Sequence, residues 1–233
     1  VIPDKAFFIN PKNFNGDTFY LDQEESIHAT RVLRLKIGDD ICLLNGIGTG
    51  YFGKIDSLET HVSGSILKTI DGLGENQNSI TLAAALIKRD RFELLLEKST
   101  ELGVNVIQPL ILDRSVKKEL NFKRCQKLII SASKQCRRSR FPDMKNPIAL
   151  STLLKNGNQI VCARMNAKKS LSELSFDSTQ NIVVVIGPEG DFSKSEIDLI
   201  DNSNVQCYHL GDRRLRAETA ALNSLSILNE ILN

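Results

Sequence analysis

No stretch of the chain approaches the roughly 18 uninterrupted apolar residues of a membrane-spanning helix, so a helical membrane protein is excluded. The N-terminal VIPDKAFFINPKN lacks a charged segment followed by an apolar one, which argues against a secretory leader. The five cysteines (Cys42, Cys125, Cys136, Cys162 and Cys207) are odd in number, scattered, and free of C-x-x-C spacing. Neither a disulfide framework nor a zinc site is suggested, and a reducing, cytoplasmic setting fits best. The three histidines, His28, His61 and His209, form no ligand cluster, so no metal is expected. There is also no G-x-x-x-x-G-K-[ST] run, which removes a P-loop for nucleoside triphosphates.

What is present is 233 residues with ample apolar content, enough for one large or two modest domains. The net charge of +2 points to no partner, but its distribution does. Residues 113–145 hold 11 Lys or Arg against 3 Asp or Glu, a local +8 within an otherwise acidic chain. The first seventy residues read as strands between glycine turns, as in ICLLNGIGTGYFGKID and HVSGSILKTI. Only DQEESIHATRVLRL has helical spacing after an acidic first turn, which predicts a small β-barrel with one helix over residues 1–72. The polar, glycine-bearing stretch 71–79 reads as a linker.

From there to residue 233 the texture alternates between strand and helix, predicting an α/β domain with a parallel sheet. The runs ITLAAALI, VIQPLIL, QIVCAR, NIVVVIG and QCYHLG read as strands. RFELLLEKSTELG reads as a helix with Gly103 just past its end, and NFKRCQKLIISASKQCRR as one with Asn121 at its start. Ser193 and Glu196 form an S-x-x-E capping box that starts a helix near Lys194. Ala221, Leu222, Leu225, Leu228 and Ile231 line one face of a C-terminal helix.

Gly48, Gly50 and Gly53 spell G-x-G-x-x-G, yet a dinucleotide fingerprint needs a helix opening at its last glycine. KIDSLETHVSG follows instead, so these glycines are read as hairpin residues. Two other turns sit at the ends of consecutive predicted strands, Gly187 to Gly190 and Leu210 to Leu215. Ligands of open α/β sheets bind beyond the carboxyl ends of strands, and glycines there let backbone groups approach a planar ligand. From composition alone, ordinary tight turns fit these residues equally well.

ELGVNVIQPLILDRSV, KQCRRSRFP, VIGPEGDFSKSEID and LGDRRLRAETAAL, in that order, resemble the RsmE-type ribosomal RNA uridine methyltransferases of the SPOUT superfamily. HATRVLRLKIGDDICLLNGIGTGYFGKI is similar to that family's N-terminal PUA-like barrel, so the resemblance spans nearly the whole chain. It implies a trefoil-knotted C-terminal domain, a homodimer, and S-adenosylmethionine held by the knot loops. By the same resemblance Ile186, Gly187, Pro188 and Gly190 form one cofactor loop, Leu210, Gly211 and Leu215 another, and Met165 belongs to a third. It further implies that Arg216 and Glu218 act in catalysis, that Lys134, Arg137, Arg138 and Arg140 contact RNA phosphates, and that the target is N3 of a uridine in 16S ribosomal RNA within the assembled small subunit. The chain departs from the family pattern at Asp191, usually Gly, at Arg214, usually Ile, at Ala217, usually Thr, and at Lys134 and Arg137 in the basic stretch.

Arginine is permanently protonated and cannot serve as the base, but its donors can stabilise charge spreading onto uracil carbonyl oxygens. Arg216 is read in that role, and Glu218 as its orienter or as the proton acceptor. Two alternatives stand beside this reading. One is a non-catalytic RNA-binding or ribosome-assembly protein that keeps the fold; the other is a methyltransferase of the same fold acting on transfer RNA or another base.

Overall fold

The computed structural model describes residues 2–115, 119–155, 159–177 and 179–232. It divides into two compact units, one of residues 1–75 and 130–141, the other of 76–129 and 142–233. The first boundary lies close to the expected one at 72/73, but the return of residues 130–141 to the first unit has no counterpart in a linear reading.

The first unit is a six-stranded sheet built from β1 (Ala6–Phe8), β2 (Phe14–Asn15), β3 (Thr18–Tyr20), β4 (Asp40–Leu44), β5 (Thr49–Ser57) and β6 (Ser63–Asp71). The strand order is β1-β4-β5-β6-β3-β2, antiparallel apart from the β1–β4 pair. Phe7, Phe19, Leu21, Ile41, Leu43 and Ile55 fill its core. Asp22 caps α1 (Gln23–Ile27) by accepting the Glu25 N–H at 2.9 Å, and the helix continues as a π turn through Val32. Gly50 and Gly53 lie inside β5, paired to β6, so the G-x-G-x-x-G run is hairpin strand and opens no helix. Phe7 is fully buried, Phe8 packs its ring on Phe141 and Tyr51 packs on Phe14, which places all three aromatics in packing roles.

The second unit alternates β7 (Ile80–Ala85), α2 (Arg89–Glu101), β8 (Val106–Ile111), α3 (Phe122–Cys136), β9 (Asp143–Met144), β10 (Ile148–Ala149), α4 (Leu150–Leu153), β11 (Gln159–Ala163), β12 (Ile182–Ile186), α5 (Lys194–Asp201), β13 (Val205–Tyr208) and α6 (Ala217–Leu232). From residue 130 onward α3 belongs to the first unit. The sheet order is β10-β8-β7-β12-β11-β13, with β9 beside β8, and every pairing is parallel. β7 and β12 are buried along their whole length, as the unbroken apolar runs require of central parallel strands.

The local punctuation has clear physical causes. Asn121 Oδ1 accepts the Arg124 N–H at 3.1 Å, capping α3. Gly103 sits at φ +84° past the end of α2, a conformation that glycine adopts without steric cost. The Ser193–Glu196 capping box is complete on both sides, and α5 starts at Lys194. On α6, Ala221, Leu225 and Leu228 are fully buried, whereas Ile231 is exposed at the helix end. Among the described residues no helix is long and apolar enough to cross a membrane.

Candidate functional site

In the strand order, β11 lies between β12 and β13, so the segments leaving the carboxyl ends of these three strands are neighbours. They converge on a cavity of about 450 Å³. From β12 comes the Gly187–Gly190 turn, closed by the Asp191 N–H donating to Pro188 O at 3.0 Å. From β13 comes the segment Leu210 to Leu215, and from β11 Ala163 to Asn166. Seven of the eight expected cofactor residues line this cavity: Met165, Ile186, Gly187, Pro188, Leu210, Gly211 and Leu215. Gly190 stands outside the wall, with its carbonyl accepting from Arg114 Nη1 at 2.7 Å.

Glycine at 187 has a packing reason. A Cβ there would lie 2.8 Å from Cε2 of Phe192, a 3 % exposed ring that belongs to the core under the sheet. Asp191 sits at φ +65°, which explains why glycine is usual at this position. Its carboxylate compensates by accepting the Phe192 N–H at 2.8 Å, a local bond that Asp makes readily in left-handed backbone. Arg214, another departure, donates from Nη2 to the Glu189 carbonyl at 2.8 Å and so ties the two strand-end segments together.

Glu218 lies in the first turn of α6, where the helix dipole favours negative charge. It is only 7 % exposed, and its Oε2 has no hydrogen-bond partner among the described residues. A buried carboxylate oxygen left in that state is costly in a resting fold but available to an incoming donor. The other oxygen, Oε1, stands 3.7 Å from Arg91 Nε, and Arg91 Nη1 also donates to the Glu189 carboxylate. Arg91 thus clamps the start of α6 and the Gly187–Gly190 turn from the first turn of α2. Arg216 precedes α6, is exposed, and has no side-chain partner among the described residues. Arg213 lines the cavity and is equally open.

A family model described as an RNA methyltransferase domain matches residues 74–229, which contain all of these residues. The chain belongs to the RNA methyltransferase family.

A second model, the RNA methyltransferase PUA domain, matches residues 21–61 of this RNA methyltransferase. The ribosomal RNA small subunit methyltransferase E of Rickettsia conorii is 30% identical over 225 residues, covering 94% of this chain and 92% of the relative. The crystal structure of the protein of that name from Neisseria gonorrhoeae, bound to S-adenosyl methionine, is 28% identical with a TM-score of 0.88 over 97% of each chain. A Legionella pneumophila methyltransferase in complex with the same cofactor is 29% identical with a TM-score of 0.85, over 99% of this chain and 98% of the other.

Of the four expected phosphate-binding residues of this RNA methyltransferase, two are closely paired with carboxylates. Arg138 requires a correction: it is 1 % exposed, and its Nε and Nη2 are taken by the Glu75 carboxylate at 3.3 and 2.7 Å. A buried guanidinium already paired in this way has no face to offer a phosphate. Lys134 is likewise spent, its Nζ 2.6 Å from Glu25 Oε1, a buried acid. Arg140 donates its backbone N–H to Glu75 at 2.8 Å and packs its guanidinium over Gly48. The Arg137 side chain makes long contacts of 3.5 Å to Ile2 O and Asp4 Oδ1 among the described residues. The sequence reading also missed Arg91, Glu189 and Arg213. Arg91 sits in an R-D-R run that reads as an ordinary charged first turn, and nothing local marks its reach to residues 189 and 218. Among the described residues no group of three or more His, Cys, Asp or Glu is arranged to hold a metal.

Proposed function

We propose that this protein transfers a methyl group from S-adenosylmethionine to N3 of a uridine in small-subunit 16S ribosomal RNA, acting as a homodimer on the assembled subunit in the cytoplasm. The observation that carries the reading is the convergence of three strand-end segments on one cavity, with seven expected cofactor residues on its wall. The relatives named above, two of them bound to the same cofactor, support it. Family membership also supports a trefoil-knotted path for the second unit.

The residues fit the cofactor. The cavity is within the range of small-molecule sites, and its wall combines apolar Met165, Ile186, Leu210 and Leu215 with glycine backbone at 187 and 211. When bound, S-adenosylmethionine supplies an activated sulfonium methyl group, which leaves alignment and deprotonation of the acceptor to the protein. Uracil N3 keeps its proton at neutral pH. Glu218 Oε2, buried and without a partner among the described residues, is the acceptor for that proton, and Arg91 on Oε1 holds the carboxylate in place. Arg216 donates to a uracil carbonyl oxygen as negative charge spreads there, reinforced by the N-terminus of α6.

The test is nucleoside mass spectrometry of undermodified small subunits after incubation with purified protein and isotope-labelled S-adenosylmethionine. Labelled 3-methyluridine is the expected product. Labelled transfer RNA instead, or cofactor binding with no labelled nucleoside, would replace this reading with one of the two alternatives. Light scattering on the purified protein reports the dimer, and naked 16S RNA compared with subunits reports the need for assembly.

A further inference from the structure

We infer that the backbone of the RNA substrate is gripped by a cationic hollow between the first turns of α2 and α3, formed by Arg89, Lys123, Arg124 and Lys127. The inference rests on RNA being the substrate and adds where its phosphates bind. The hollow has a volume of about 500 Å³, and its walls, completed by Asn121 and Leu128, include no carboxylate among the described residues. All four cations are exposed.

Three features make this more than a solvated charged face. First, the two arginines are held in place. Glu93 accepts from Arg89 Nε at 2.8 Å and from Arg124 Nε and Nη2 at 2.5 and 2.7 Å. Those bonds, Arg124 first and Arg89 second, hold the Glu93 carboxyl down at about 2, so it stays ionised through the physiological range. One buttressing carboxylate for two guanidiniums leaves excess positive charge, with the Nη groups of Arg89 uncommitted to Glu93. Second, Lys123 and Lys127 are one helical turn apart on α3, about 6 Å along the axis, so each can take a different phosphate. Lys123 has no side-chain partner among the described residues. Third, the hollow sits at the amino end of a 15-residue helix, whose dipole adds to the attraction for anions.

The cationic segment 113–145 is therefore split by the fold. Lys134 and Arg138 are paired with Glu25 and Glu75 in less exposed positions, and Lys123, Arg124 and Lys127 are exposed a few turns earlier on α3. A polyanionic chain matches four cations set around a hollow better than a single small anion, which would engage only part of them.

The test compares wild type with the double variant Lys123→Ala/Lys127→Ala and with a charge-matched control, Lys12→Ala/Lys68→Ala, whose lysines lie elsewhere on the surface. Binding of a 16S-derived RNA hairpin is followed by fluorescence anisotropy across a salt series, and S-adenosylmethionine affinity by calorimetry. The hollow variant is expected to lower the slope of log K against log salt by about 1.5, two contacts at roughly 0.7–0.9 each. It should also raise KM for RNA while leaving cofactor affinity and folding unchanged. An unchanged slope, or an equal fall in the control, overturns the inference. If wild type binds the hairpin through the hollow but methylates no RNA, the inference stands and the methyltransferase reading falls instead.

Discussion

Replacing Arg138 by alanine separates two readings of the basic stretch. In a phosphate-contact role the substitution would weaken RNA binding and leave the fold alone. In the structure, Arg138 is 1 % exposed and Glu75, whose side chain is 10 % exposed, pairs with it at 2.7 Å. Removing one partner of a buried pair leaves the other charge uncompensated and costs about 3–5 kcal/mol. At roughly 2–4 °C per kcal/mol for a chain of this size, the melting temperature should fall by about 6–20 °C if unfolding is cooperative. The paired variant Arg138→Met/Glu75→Gln should recover most of that loss, because neither charge is then stranded. The new amide also keeps an oxygen for the Arg140 N–H, which donates to the Glu75 carboxylate at 2.8 Å in the native protein. Differential scanning calorimetry gives the stabilities, and the RNA salt series on the paired variant gives the slope, expected to equal that of wild type. A stable Arg138→Ala protein with a reduced slope would refute the reasoning.

Arg91→Gln removes the clamp on Glu218 and on the cavity-lining Glu189, although Arg91 itself does not line the cavity. It should lower kcat by about 10–100-fold, as sub-ångström misplacement of a reacting group does, with S-adenosylmethionine affinity by calorimetry changed far less. Equal losses in both would mean that Arg91 only supports the cofactor loop. Gly187→Ala drives a methyl into the Phe192 ring, so about 1–3 kcal/mol of overpacking cost and a weakened cofactor affinity are expected from thermal melts with and without cofactor. Glu93 has a folded value of about 2 against an ordinary 4.5, so its stabilising contribution is present above 4.5 and lost as pH falls through 2. Its side-chain carboxyl resonance should titrate with a midpoint well below the ordinary 4.5, and a midpoint near 4.5 would show that Arg89 and Arg124 do not hold it.

Much of the architecture is local and was legible in residue order. Apolar runs such as IVVVI mark central strands because only a strand covered on both faces tolerates them. The Asn121 cap, the Gly103 terminator and the Ser193–Glu196 box act within a few residues of backbone, so their geometry is contained in their spacing. The turns that line the cavity were legible for the same reason. Each is a short contiguous segment at a strand end, and parallel topology brings strand ends to one edge of the sheet.

Charge behaved differently. The sign of each residue in 113–145 is fixed by its identity, but whether that charge faces water or a carboxylate depends on Glu25, Glu75 and Glu93, which lie 31 to 109 residues away from their partners Arg124, Arg138 and Lys134. Arg91 meets Glu189 across 98 residues of chain, and no periodicity carries information over that span. Backbone conformation follows from neighbours in sequence. The pairing of ionised groups is settled by which elements pack together, and in this protein that packing decided which arginines are free to meet a substrate.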